Sequence, residues 1–236
     1  MPETAREQLA GLLAAQDERS SSIQLAAKAP HDLRLEVDGI GRITLPVPAD
    51  QARRLSQLGR PARFGRGEET LTDPAVRDTW EIPLELVHAE WPGGQGLVPD
   101  LEAVRAELGL PAGRQLTAEP HSLLVYRKGQ FFLPHQDSEK DNAMIATLVV
   151  TLPSTHTGGE LVVHHLGAAT TYRGFDTRIS LVAFYADCRH EVRPVTSGHR
   201  IALTYDLLLH ATRPTTCPAR DTPRSFEPGR SCSSGS

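Results

Sequence analysis

A chain of 236 residues with 39% hydrophobic and 23% charged residues suits one large globular domain, or a catalytic domain with a supporting N-terminal half. A formal net charge of −4 gives no electrostatic reason to expect nucleic acid as a partner, and Cys188, Cys217 and Cys232 are too few and too scattered for a disulfide framework or a zinc finger. No apolar run approaches the roughly 18 residues of a membrane span and Met1 to Glu7 lacks a signal-type apolar core, so the expected location is cytoplasmic, away from membranes.

In chain order, Thr4 to Arg19 reads as a helix with Leu9, Leu12 and Leu13 on one face, ended by Ser20 to Ser22. Leu33, Leu35 and Val37 alternate with charged residues before Asp38-Gly39, and Ile40, Ile43 and Leu45 follow, which predicts a hairpin stopped by Pro46 and Pro48. Ala49 to Leu58 is a short helix closed by Gly59. Arg60 to Thr72, rich in Gly and Arg, reads as a loop, and its Arg60 to Arg66 part is either solvated or able to guide an acidic partner. Asp73-Pro74 has the form of an N-cap followed by Pro at the first helical position, predicting a helix to about Trp80. After a break at Pro92-Gly93-Gly94, Asp100 to Leu108 is amphipathic, with Asp100 as N-cap and Gly109 as its stop.

From His121 the pattern turns to β. Strands are expected at Ser122 to Arg127, Phe131 to His135, Ile145 to Leu152, Leu161 to His165, Thr170 to Arg173, Ile179 to Ala186, Glu191 to Val195 and Arg200 to Leu209. That many short strands joined by Gly, Pro and Asp turns suggest a double-sheet jelly roll or a barrel. The expected class is α+β with a mainly β core. Residues 1–116 would form a helical and hairpin support region and 117–210 the β domain. The Pro-, Ser- and Thr-rich residues 211–236 would be a disordered tail.

The candidate chemistry begins at His135 and Asp137, which close an apolar run. Side chains at i and i+2 of a strand leave the same face, so an imidazole and a carboxylate can point into one cavity. Of the remaining histidines, His31, His88, His121 and His210 lie at element ends, His156 sits in a polar turn, and one of His164 and His165 faces inward within reach of a substrate. His190 is the best third ligand, because it follows the apolar strand Ile179 to Ala186 and a tight corner and is pinned by backbone on both sides. Two imidazoles and one carboxylate on one face of an octahedral metal form the facial triad suited to Fe(II). In the last strand Ile201, Leu203 and Tyr205 share one face, leaving Arg200 with Ala202 and Thr204 on the other, the cavity side. A guanidinium there needs an anion, which either a dicarboxylate or a buried Asp or Glu would supply, and no inward-facing acid is evident nearby in the sequence.

Taken together, Tyr126-x-x-Gly129-Gln130-x-Phe132-x-x-His135-x-Asp137, Gly158-Gly159-Glu160-Leu161, His190 and Arg200 resemble the 2-oxoglutarate/Fe(II)-dependent dioxygenases, in particular their prolyl-4-hydroxylase-like branch. The resemblance runs from about Leu123 to Leu209. It implies a double-stranded β-helix in which His135, Asp137 and His190 hold Fe(II) and Arg200 holds the distal carboxylate of 2-oxoglutarate. Tyr126 would hydrogen-bond the cosubstrate, with Thr151 or Thr147 helping. It also implies a reaction that consumes O2, with ascorbate as an optional reductant, and hydroxylates a C–H of a protein, peptide or small-molecule substrate while releasing succinate and CO2. The carboxylate at Asp137 argues against a halogenase, where that position must be small. Two other readings remain: a cupin-like non-redox metal protein, as an isomerase or small-molecule binding module, and an interaction scaffold without turnover. Arg200 weighs against the first of these and the complete triad against the second.

Overall fold

The structure, a computed structural model, describes residues 21–66, 69–92, 96–137 and 143–211. The helix expected at Thr4 to Arg19, the break at Gly93-Gly94 and the tail beyond Ala211 lie outside them. Among the described residues, no helix is long and apolar enough to cross a membrane.

The protein is mainly β, and each expected strand after His121 is present. The strands are Arg114–Arg127, Phe131–His135, Met144–Thr151, Leu161–His165, Ala168–Tyr172, Ser180–Tyr185, Arg189–Val192 and Val195–Ala211. They sort into two antiparallel sheets. In the larger, Val195–Ala211 lies between Met144–Thr151 and Arg114–Arg127, with Ser180–Tyr185 beyond. In the smaller, Arg189–Val192 lies between Leu161–His165 and Phe131–His135, with Ala168–Tyr172 at one edge. Successive segments of chain cross from one sheet to the other, the general arrangement of a double-sheet jelly roll.

Strict alternation in the central strands separates two cores. Leu123, Val125, Leu148, Val150, Ile201 and Leu203 face outward into a cluster with Leu55, Leu101 and Val104 of the two helices. Their neighbours Leu124, Tyr126, Val149, Phe184 and Ala202 face inward, against Phe132, Leu161, Val163 and Val192 of the smaller sheet. The parity assigned to Arg200 is therefore correct: it lies on the inner face, directly across from Tyr126 in the pairing of the two longest strands.

The described part of the N-terminal half is not mainly helical. It holds two helices, Ala49–Leu58 and Val98–Glu107, among short strands, several of which extend the main sheets. Ser22–Gln24 adds to the edge of the larger sheet at Val182–Phe184. The hairpin forms as expected, with Arg34–Val37 paired to Gly41–Arg42. The helix at Ala49–Leu58 also forms, but Gly59 is needed there for a different reason than a left-handed stop. Its φ is −68°, and a Cβ would meet the Trp80 Cβ at 3.0 Å. Gly109, with φ +68°, is a left-handed stop. The second helix starts ahead of Asp100, which instead pairs with Lys28 Nζ at 3.0 Å.

Three expectations fail where non-local pairing overrides local signals. Asp73 does accept from the Ala75 amide at 2.9 Å, but its turn opens into Arg77–Asp78 and Trp80–Ile82. These strands pair with Phe131–Phe132 and with Leu123–Val125, respectively. The Arg60 to Thr72 stretch is likewise no simple loop, since it contributes Arg60–Pro61 to the larger sheet and a hairpin of Phe64–Arg66 with Glu69–Leu71. His156–Gly158, read as a turn, is a short strand against Val195–Gly198.

Leu203 is 2% exposed on the face away from the cavity. Leu203→Ala is expected to cost about 2–5 kcal/mol of stability, read as a lower denaturation midpoint, while metal binding by the folded protein persists.

Candidate metal centre

The turn Arg127 to Gln130 launches the first ligand strand. Gly129 takes φ +88°, and the buried Gln130 side chain accepts from the Arg127 amide at 2.8 Å and donates to Asp78 at 2.6 Å. The strand that follows carries an irregularity. Phe132 pairs with Val192 but His135 pairs with His190, so the span from Phe132 to His135 faces a shorter span on its partner. Such a bulge at Leu133-Pro134, where Pro lacks an N–H for the ladder, turns His135 to the same side as Phe132. Their rings stack with centroids 3.4 Å apart. The strand ends at His135. Asp137 therefore lies beyond it, not within it as the alternation argument assumed, and is held by a hydrogen bond from Thr147 Oγ to Asp137 Oδ2 of 2.6 Å.

The three expected ligands come together. His135 Nε2 and His190 Nε2 lie 3.9 and 3.7 Å from Asp137 Oδ1, and the donor atoms gather within 4.8 Å of one another. These separations are too long for hydrogen bonds. The other nitrogen of each ring is engaged: His135 Nδ1 donates to the Leu133 carbonyl at 2.8 Å and His190 Nδ1 to the Cys188 carbonyl at 3.1 Å. Backbone contacts of this kind set the tautomer and leave the Nε2 lone pair for a metal. Burial, reinforced by the neighbouring His190, drives the His135 pKa down to about 3, so the ring is a neutral ligand at ordinary pH. Burial raises the Asp137 carboxyl pKa, but His190, the Thr147 hydroxyl and His135 outweigh it and hold the group below its ordinary range, ionised. A neutral His135 imidazole and an ionised carboxylate, gathered with His190 without bonding to one another, fit a hard divalent cation with room left for other ligands.

The triad opens onto a cavity of about 570 Å³ that Arg200 and Tyr126 also line. Arg200 is 3% exposed and donates from Nη2 to Thr151 Oγ at 3.2 Å. Its guanidinium carbon sits 5.4 Å above the Tyr126 ring. Among the described residues Arg200 has no ion-pair partner, and burial pulls its pKa below the ordinary range. An arginine stays protonated in a protein, so this charge calls for an anion in the cavity. Gly159 makes room for it: with φ +70°, it sits where a Cβ would come within 2.9 Å of Arg200 Cδ.

Tyr126 and Thr151 thus both attend Arg200, whereas Thr147 serves Asp137. Sequence reasoning missed this role of Thr147, although its inward parity was visible beside Val149 and Thr151. It also gave no role to Phe132, though the motif includes it, and missed Phe184; they pack on His135 and His190 with centroids 3.4 and 4.6 Å apart. His164 and His165 do not line the cavity. They face Glu191 and Cys188, at 3.6 and 3.8 Å.

Residues 121–205 match the family model of the 2OG-Fe(II) oxygenase superfamily, a span that contains each of these site residues. Proteins of that family need Fe(II), 2-oxoglutarate and O2, and the His-Asp-His cluster supplies the ligands such a metal requires. A search of the curated proteins found no match. Among solved structures, the chain is similar to an oxidoreductase of the 2OG-Fe(II) oxygenase family from Burkholderia pseudomallei, at 17% identity over 84% of this chain and 90% of that one, with a TM-score of 0.47. A Pseudomonas putida prolyl-4-hydroxylase matches at 18% identity over 85% and 98%, with a TM-score of 0.47. A Trichoplax adhaerens prolyl hydroxylase, solved with a hypoxia inducible factor peptide fragment, matches at 14% identity over 89% and 94%, also at 0.47. Likenesses this loose do not bear on the substrate of this chain.

Because Thr147 fixes the Asp137 carboxylate, Thr147→Val is expected to weaken Mn(II) or Fe(II) binding roughly 10–100-fold in a direct titration, with the fold intact. His190→Ala should abolish binding at the same concentrations.

Proposed function

We propose that this chain, which carries a 2OG-Fe(II) oxygenase superfamily domain over residues 121–205, is a 2-oxoglutarate- and Fe(II)-dependent dioxygenase. It would hydroxylate an unactivated C–H of a protein, peptide or small-molecule substrate and release succinate and CO2. The proposal takes the two-sheet core of 117–210 as a double-stranded β-helix supported by residues 1–116, and places the protein in the cytoplasm. One observation carries it: a metal triad and a buried guanidinium without an anionic partner among the described residues line the same cavity.

In this reading His135, Asp137 and His190 hold Fe(II), which together with 2-oxoglutarate and O2 supplies the oxidising power. Arg200 grips the far carboxylate of the cosubstrate, the planar fork suiting a bidentate pair. Thr151 fixes one edge of that fork by accepting from Nη2, and the Tyr126 ring covers its face. Thr147 holds Asp137 by one oxygen, leaving Oδ1 toward the two Nε2 atoms. Phe132 and Phe184 wall the imidazoles with apolar surface and restrict water near them. Prolyl hydroxylation is one form this chemistry could take.

A cupin-like non-redox site is the other reading. Against it, the cluster among the described residues has no histidine beyond the two, and such a site gives Arg200 no anion.

Purified protein given Fe(II) and 2-oxoglutarate should form succinate, at least slowly without substrate. His135→Ala, Asp137→Ala and His190→Ala should each abolish it. Arg200→Ala should raise the 2-oxoglutarate concentration for half-maximal rate roughly ten- to a hundredfold, the loss of a charged hydrogen bond of about 1.5–3 kcal/mol. Succinate formation unchanged by these substitutions would rule the assignment out.

A further inference from the structure

The charges lining the cavity do not balance. Away from the triad its acids are Glu81 and Asp206, and each is matched by a lining base. Arg60 Nη2 lies 3.4 Å from Glu81, and His121 Nδ1 lies 3.2 Å from Asp206. Two further lining residues, Arg63 and Arg77, have no carboxylate within ion-pair distance among the described residues.

Arg77 is not an ordinary solvated surface arginine. Its Nη1 donates to the Arg63 carbonyl, and its guanidinium carbon sits 4.5 Å from the centre of the Phe132 ring. Phe132 in turn stacks on His135 at 3.4 Å, so the cation stands one ring away from a triad imidazole. Its Nε is buried and has no hydrogen-bond partner among the described residues, an unusual state for a polar atom in a folded protein. With Nη1 committed to Arg63 and Nε enclosed, Nη2 is the guanidinium donor left for an anion in the cavity, and a carboxylate oxygen suits a charged N–H. Strand pairing of Arg77–Asp78 with Phe131–Phe132 fixes this placement, so the donor is held by the same strand that carries His135.

We propose that Arg77, backed by Arg63, forms a carboxylate-recognition subsite at the cavity, and that the substrate bears a carboxylate close to the carbon that is oxidised, for which short acidic peptides serve as the probe. The proposal rests on the oxygenase reading for its reaction, but its binding claim can be measured separately. Arg200 is the receptor for the cosubstrate; Arg77 selects the substrate. The paired Arg60 and Glu81 stand beside it and would repel neither a neutral backbone nor a single added carboxylate.

The experiment uses the full chain with Mn(II) in place of Fe(II) and saturating 2-oxoglutarate, so that Arg200 is occupied and no turnover occurs. Three pools of end-capped five-residue peptides with a randomised centre are dialysed against it, flanked by glutamate, glutamine or phosphoserine, and retention is read by mass spectrometry. The glutamate pool should be retained at least tenfold better than the glutamine pool. Arg77→Gln should erase that preference and Arg63→Gln reduce it. Arg77→Lys, which keeps the charge but not the planar guanidinium fixed over Phe132 and tied to the Arg63 carbonyl, should recover only part. Equal retention of the glutamate and glutamine pools by the wild type, a preference that survives Arg77→Gln, or stronger retention of the phosphoserine pool would overturn the proposal. Each variant is checked for an unchanged thermal midpoint. Retention of 2-oxoglutarate by the wild type, read in the same dialysis, reports on the oxygenase reading independently.

Discussion

The pairing of His135 with His190 across adjacent strands of the smaller sheet is the constraint on which the rest of the site depends. The two residues are far apart in the chain, and an ion cannot gather ligands whose backbones are free to move without a large entropic cost. Here the backbone is fixed beforehand by strand pairing. The bulge at Leu133-Pro134 then does what regular alternation could not: it brings Phe132 and His135 to one side, so that ring stacks on ring and Nε2 turns toward Asp137. A one-residue change of register would send the imidazole to the opposite face.

The larger sheet supplies the other half of the cavity. Arg114–Arg127 and Val195–Ala211 form a long antiparallel pair, placing Tyr126 across from Arg200 and His121 beside Asp206. One side of this pair is bound into the main apolar core by Leu123, Val125, Ile201 and Leu203, and so the other side is rigid. Burying Arg200 there is unfavourable in itself. Its persistence, with room provided by Gly159 and one edge fixed by Thr151, is understandable as preparation for an anion that arrives with function.

How much of this was legible in the sequence follows from the range of the forces involved. His135, Asp137 and His190 were found by residue type and by position at element ends, and Arg200 by the parity of its own strand, both local signals. The reason given for Asp137 was wrong in detail, because it lies past the strand end and owes its position to Thr147. Asp73-Pro74 carried a genuine helix-start signal and did form a turn. Pairing with Phe131–Phe132 and burial of Ile82 against the sheet outweighed helix propensity, and no local pattern reveals such partners. Arg63 lay in the Arg-rich stretch read as solvated or as a guide for an acidic partner and Arg77 in the helix expected after Asp73, and only the sheet brings the two to one cavity.

The most direct test is an oxygen-free crystal structure with Mn(II) and 2-oxoglutarate. The account predicts one metal ion bound by Nε2 of His135, Nε2 of His190 and the carboxylate of Asp137, with the ligand's far carboxylate on the Arg200 guanidinium. A metal bound without His190, or a cosubstrate whose carboxylate lies away from Arg200, would contradict it.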